Sequence, residues 1–260
     1  MKFEQIRGAT SIVTYAGVRF LVDPMLAKKF SYPDVPTTIN CAKGNPTTEL
    51  PCPVDELFNV DALLVTHLHF DHFDEAAKQL IPKDIPVIVS NSKDAWFMND
   101  IGFKTVINAQ GGVTFKDIKI SVTDCEHGDG DPVVHKIFKD KGIDGTAHGF
   151  VLESQKEKGA FYLTGDTILY ERVFEAIEKF RPYVIAVNAA CAQMCPSHSI
   201  MMGLDDVRVL CRYVKNISIV ATHLDCVSHA TVSADSLRAY GKLESLTNLF
   251  VPAQKECIEF

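Results

Sequence analysis

Apolar positions along the chain fall into two kinds of run, continuous or alternating over strand length and recurring at helical spacing, and the two kinds take turns. Gln5–Tyr15 and Val18–Val22 are rich in β-branched and aromatic residues and flank Ala16-Gly17, which predicts a hairpin ending at Asp23-Pro24. Asp61–Thr66, DALLVT, is a continuous apolar run of strand length. After a polar loop, Asp74–Ile81 starts with a capping aspartate and puts Ala77, Leu80 and Ile81 on one helical face. Val87–Ser90 predicts another strand, and Lys93–Asp100 a short helix capped by Asn91 or Ser92, with Trp96 expected in the core beside Phe97. Thr105–Asn108, Val113–Phe115 and Ile118–Thr123 predict a meander that turns at Gly111-Gly112.

The second half alternates in the same way. Gly149–Glu153, Ala160–Thr164, Tyr183–Asn188 and Ile217–Thr222 read as strands. Helices are predicted near Tyr170–Phe180, stopped by Arg181-Pro182, over Leu204–Val214, and from a Ser233 cap through Leu243. Two stretches break the rhythm. Residues 28–59 carry Pro33, Pro36, Pro46, Pro51 and Pro53 with few periodic apolar positions, and 124–148 is irregular, so both are expected as ordered loops beside a functional site. The two halves are alike in kind, but no sequence repeat joins them.

Composition narrows the class. A chain of 260 residues with 47% apolar content can bury one large core over 1–260, and no apolar run approaches the length of a spanning helix, so no membrane is expected. The formal charge of −7 disfavours nucleic acid and leaves a small-molecule substrate as the expected partner, an anionic one being allowed by a local basic pocket. Met1–Arg7 shows no signal-peptide pattern, and a cytoplasmic protein is expected. Cys41, Cys52, Cys125, Cys191, Cys195, Cys211, Cys226 and Cys257 form no C-x-x-C pair and are expected as free thiols, Cys191 and Cys195 as small buried residues rather than nucleophiles.

Chemistry concentrates right after the DALLVT strand, where His67-Leu68-His69-Phe70-Asp71-His72 packs three imidazoles and a carboxylate into six residues. Residues two apart share a side only in extended backbone, so His67 and His69 can meet one ion there, while the neighbours Asp71 and His72 must diverge. That divergence suits two ions better than one crowded shell. Imidazole and carboxylate donors without a cysteine favour Zn²⁺, with Mn²⁺ or Fe²⁺ as competitors. Further ligands are sought past the ends of later strands, where His127, Asp166 and His223 each follow an apolar run.

These residues carry a resemblance. His67-x-His69-x-Asp71-His72, His127, Thr164-Gly165-Asp166-Thr167 and Thr222-His223 stand in the order and approximate spacing of the metallo-β-lactamase superfamily. Gly8–Asp23, Asp23-Pro24 and the Thr66–Asp74 string look most like its branch of ascorbate-6-phosphate lactonase and N-acylphosphatidylethanolamine phospholipase D relatives. The resemblance implies an α/β fold, a four-layer αββα sandwich with two mixed β-sheets face to face and helices outside. It implies His67, His69 and His127 on a first ion, Asp71, His72 and His223 on a second, Asp166 bridging, and Asp23 orienting the metal loop. His148 competes with His127 for the third place.

A water shared by two divalent ions reaches a pKa near neutrality, so the expected reaction is metal-dependent hydrolysis of a small ester, lactone or phosphoester by metal-bound hydroxide. Asp71 and Asp166 are expected to take part, and His198 or His229 to protonate the leaving group. Phe30, Tyr32, Lys28, Lys29 and Arg172 could wall the cleft or contact an anion, but ordinary loop packing and solvated charge are the favoured reading, and His135, among Lys136, Lys139 and Lys141, is expected on the surface. Other readings of the same residues are an iron-dependent oxidoreductase, a metal-binding sensor without turnover, and a nuclease.

Overall fold

A continuous apolar strand calls for burial on both faces, and the DALLVT run receives it: Ala62 and Leu64 enter one apolar cluster, Leu63 and Val65 another. The two-residue side-chain period makes that division. The computed structural model describes residues 1–35 and 44–260. Its first strands are β1 (Lys2–Arg7), β2 (Thr10–Tyr15), β3 (Val18–Val22) and β4 (Ala62–Val65), followed by α1 (Glu75–Leu80), β5 (Val87–Val89), α2 (Ser92–Asp100) and β6 (Val106–Asn108). Then come β7 (Val113–Phe115), β8 (Ile118–Asp124), α3 (Pro132–Lys141), β9 (His148–Glu153), β10 (Ala160–Leu163), α4 (Glu171–Phe180) and β11 (Pro182–Asn188). The chain closes with β12 (Gln193–Cys195), β13 (His198–Ser199), α5 (Leu204–Tyr213), β14 (Ser218–Thr222), α6 (Ala234–Leu243), β15 (Leu249–Phe250) and β16 (Cys257–Glu259).

Two sheets of seven strands result, ordered β16-β1-β2-β3-β4-β5-β6 and β15-β14-β11-β10-β9-β8-β7, with β12 and β13 as a separate hairpin. Each sheet is mixed: β3 to β6 run parallel in the first, and β10, β11, β14 and β15 in the second. Phe3, Val13, Phe20 and Leu64 of the first sheet share a buried cluster with Ile120, Phe150, Phe161 and Val184 of the second. The helices close the outer faces. Ala77 of α1 and Met98 of α2 cover Leu63, Val87 and Val89, and Val173, Val207 and Leu237 of α4, α5 and α6 cover Tyr162, Ile185 and Ile219. This is the four-layer αββα sandwich, and each buried aliphatic or aromatic side chain contributes roughly 1.5–3 kcal/mol to it.

Four expectations need correction. Gln5–Tyr15 is two strands, broken at Gly8, whose φ of 57° turns the chain. The strand before Gly111-Gly112 pairs parallel with β5, so the two glycines carry the chain across to the second sheet rather than around a hairpin. Local pattern reads the same for both routes. The 124–148 stretch contains α3, started by Asp131, which accepts from the Val133 and Val134 N–H groups, and ended by Gly142 at φ 65°. Trp96 is 67% exposed, because α2 turns Asp94 and Met98 inward and a residue midway between them faces away.

Cys52, Cys125, Cys191, Cys195, Cys211, Cys226 and Cys257 are free thiols. Cys41, Pro36 and the middle of the 28–59 loop lie outside the described residues. No described helix is long and apolar enough to cross a membrane.

Candidate metal centre

Parallel neighbours end at the same edge of a sheet, and here those ends carry the chemistry. Asp23 follows β3, Thr66 and His67 follow β4, Asp166 follows β10, Asn188 ends β11 and His223 follows β14. His127 comes three residues past β8, which lies two strands from β10 in the same sheet. Gly165 sharpens the turn that delivers Asp166: at φ 68°, a Cβ there would stand 2.3 Å from the His148 carbonyl oxygen.

The donors gather in two groups, His67, His69 and His127 in one and Asp71, His72, Asp166 and His223 in the other, with the ligand atoms of each within 4.8 Å of one another. In the first group the ring tautomers follow from the partners. His127 Nδ1 faces the Ile200 carbonyl oxygen at 2.7 Å and His69 Nε2 faces that of Asp144 at 2.6 Å, so each donates a proton outward. Thr66 Oγ1 donates to Asp23 Oδ2 at 2.8 Å and is left to accept from His67 Nδ1 at 3.0 Å. Three lone pairs then face inward, His69 Nδ1 lying 3.1 Å from His67 Nε2 and 3.2 Å from His127 Nε2. Acceptors that close repel one another, and a cation among them removes the repulsion. The donor set fits a divalent ion.

The second group is built of opposite charges. His72 donates from Nδ1 to Asp23 Oδ2 at 2.8 Å and turns Nε2 toward His223 Nε2 at 3.0 Å and Asp166 Oδ2 at 3.2 Å. His223 Nε2 lies 3.3 Å from Asp71 Oδ2, and its Nδ1 is buried without a partner. Asn188 Nδ2 donates to Asp166 Oδ1 at 2.6 Å, leaving Oδ2 3.8 Å from both His127 Nε2 and His223 Nε2. One carboxylate oxygen therefore stands between the groups.

Electrostatics separates them further. Burial lowers the His67 pKa, and the neighbouring His72 and His69 lower it again; burial also takes His127 down to about 4. Burial alone would raise Asp71 and Asp166, but the hydrogen bond from His223 outweighs it for Asp71, and the charges of His72 and His223 for Asp166, so both carboxylates stay ionised. His72 is raised well above the usual imidazole value, because the Asp166 and Asp23 carboxylates overcome its burial. The second group draws in positive charge.

A cavity of about 600 Å³ opens onto the centre. His69, Asp71, His127, Asp166 and His229 line it, together with Tyr32, Leu68, Phe70, Phe138, Ile143, Met194 and Ile200, and no lysine or arginine does so among the described residues. His229 is 6% exposed, with Nδ1 unpartnered. Burial lowers its pKa. The other expected donor, His198, is not in this cavity: its Nδ1 lies 2.6 Å from Asp131 Oδ2, in a separate hollow with Glu126 and Pro132. His148 is also elsewhere, its Nδ1 3.0 Å from Ser90 Oγ.

Of the five wall candidates, Tyr32 alone lines the cavity; Arg172 pairs with Glu175 on the exposed face of α4, and Lys29 covers the half-exposed Phe30 ring. Lys28 borders a neighbouring groove. His135 is on the surface, as expected. Neither Cys191 nor Cys195 lines the cavity, and both are half-buried. Thr66 and Asn188 were not singled out by the sequence, although Thr66 stands between β4 and His67 and Asn188 ends β11.

Comparison with known proteins agrees with this architecture. The Beta-lactamase superfamily domain matches residues 18–224. The chain belongs to that superfamily. It is 35% identical to the UPF0173 protein YddR of Bacillus subtilis (strain 168), over 100% of both chains, which puts it in the UPF0173 group. Among solved structures, an isothiocyanate hydrolase from Delia radicum gut bacteria superposes with a TM-score of 0.93 at 31% identity, over 100% of this chain and 99% of that one. A possible metal-dependent hydrolase from Veillonella parvula DSM 2008 superposes at 0.92 with 32% identity, over 99% and 98%. The fold is thus the common ground; substrate is where members of one superfamily can differ.

Proposed function

We propose that this protein is a metal-dependent hydrolase of small, neutral, electrophilic carbon compounds, with isothiocyanates as the substrate class. The observation that carries the reading is the cavity: convergent His and Asp donors, walls mostly apolar and aromatic with Asp34 and Asp144 among them, and no lysine or arginine among its described lining. Among the described lining, a phosphoester or another anion would find no cationic side chain to meet it. The named activity of the gut-bacterial structure, similar over its whole length, supports the same class.

His67, His69 and His127, and Asp71, His72 and His223, would hold divalent ions, Zn²⁺ first with Mn²⁺ or Fe²⁺ as competitors, which would supply Lewis acidity and lower the pKa of water. Asp166, with one oxygen facing both groups, balances their charge. Asp23 and Thr66 fix the rings of His72 and His67, and Asn188 fixes Asp166. Tyr32, Phe70 and Phe138 exclude bulk water and seat the apolar substituent. His229, neutral at pH 7, hydrogen-bonds the leaving nitrogen. In the overall reaction the oxygen of water joins the isothiocyanate carbon, its two protons end on nitrogen, and the C–N bond breaks to give an amine and carbonyl sulfide.

A lactone or carboxylic ester is the second reading, favoured by the likeness of the Thr66–Asp74 string to the lactonase and phospholipase D branch. Turnover of alkyl isothiocyanates, lactones, carboxylic esters and phosphodiesters by the zinc-loaded protein tests the proposal. Amine release that stops when chelator is added is expected. Activity confined to phosphodiesters would contradict it.

A further inference from the structure

The turn after β14 is strained where it carries function. His223 and Asp225, neither of them glycine, hold left-handed backbone at φ 65° and 58°. Such residues persist only where surrounding bonds over-determine them. Here the braces come from the distant 44–48 segment: the Thr47 N–H donates to the Cys226 carbonyl and its hydroxyl to the Asp225 carbonyl, both at 2.7 Å. The His223 N–H donates to the Gly8 carbonyl at 2.9 Å.

Next to His229 the bracing becomes a closed set. The Ser228 N–H donates to Asn45 Oδ1 at 2.7 Å, and Asn45 Nδ2 donates to Ser228 Oγ at 3.2 Å and to the Pro33 carbonyl at 2.9 Å. The Val35 N–H donates to Ser228 Oγ at 3.2 Å. Asn45 is fully buried and Ser228 is 2% exposed. Pro33 and Val35 form one wall of the cavity and His229 another, whereas Asn45 and Ser228 line no part of it. One amide and one hydroxyl therefore tie the Pro33–Val35 lining to the residue before His229 from behind the cavity.

We infer that Asn45 and Ser228 are positioning residues, a clamp that sets His229 against the substrate. This rests on the hydrolase reading. Because the clamp acts through His229, its loss and the loss of His229 are not additive. The experiment is a double-mutant cycle on the zinc-loaded protein with Asn45→Ala, Ser228→Ala, Ser228→Thr and His229→Ala. Asn45→Ala and Ser228→Ala are expected to lower kcat about tenfold with KM changed less than about twofold and metal content unchanged. Ser228→Thr keeps the hydroxyl and restores kcat. In the His229→Ala background, Asn45→Ala costs less than about a further twofold.

Losses that multiply in the double variant, or metal content that falls in step with activity, would overturn the clamp. Should Asn45→Ala not fold, Ser228→Ala carries the same cycle, since it removes one hydroxyl. The imidazole NMR signals of His229 give a readout free of turnover: they shift and broaden in Asn45→Ala while those of surface His135 stay put. Unchanged His229 signals overturn the clamp, and a wild-type protein inert across the substrate panel counts against the hydrolase reading alone.

Discussion

The two halves of the centre differ in nearly every physical respect. His67, His69 and His127 form a set of imidazoles without a carboxylate, held by two backbone carbonyls and a threonine, and His69 stands half-open to the cavity. Asp71, His72, Asp166 and His223 are buried, carry two ionised carboxylates, and are fixed from behind by Asp23 and Asn188. A charged, enclosed donor set holds a cation more tightly than an open one without a carboxylate, since the carboxylates act at short range away from water. In our account the buried half is the anchor and the open half the working face. Asp166 Oδ2 joins them.

That contrast can be broken in graded steps. The largest effect is expected from Asp166→Ala, which removes the oxygen facing both groups: kcat/KM falls more than about a thousandfold and metal is lost from both halves. A variant that kept full metal content would separate the halves and refute the joining role. Smaller is Asp23→Asn, which keeps the shape but weakens the acceptor for His72 Nδ1 and Thr66 Oγ1. Titration with a metal indicator should show the buried half about 10–100-fold weaker and the open half nearly unchanged. Equal weakening of both would erase the proposed asymmetry.

How much of this was legible in the chain follows from what is local. His67 to His72, Asp166 and His223 could be read because each abuts an apolar run whose end fixes its place at one sheet edge. The sequence puts His127 ahead of His148 without settling between them, since the path between the two is not legible; α3 lies there, its Asp131-Pro132 start and Gly142 end unread. His198 misled for a related reason. Its polar surroundings, Pro196-Ser197, suit a cavity wall as well as a surface hairpin, and tertiary packing takes it to the cap of α3. The basic residues near 28 and at 172 stand as anion contacts only behind the plainer reading of solvated charge, because charge is visible in a sequence and direction is not, and the plainer reading describes Arg172 and Lys29. Asn45 gave no signal at all: its side chain's two partners, Pro33 and Ser228, lie 12 and 183 positions away.

Stepwise removal of zinc by a chelator, followed by metal analysis and turnover at each step, tests the asymmetric centre most directly. The account predicts two ions per chain that leave in separate steps, the first from the half containing His69, so that His69→Ala deletes the early step and His72→Ala the late one. A single ion, or two that leave together in both variants, would contradict it.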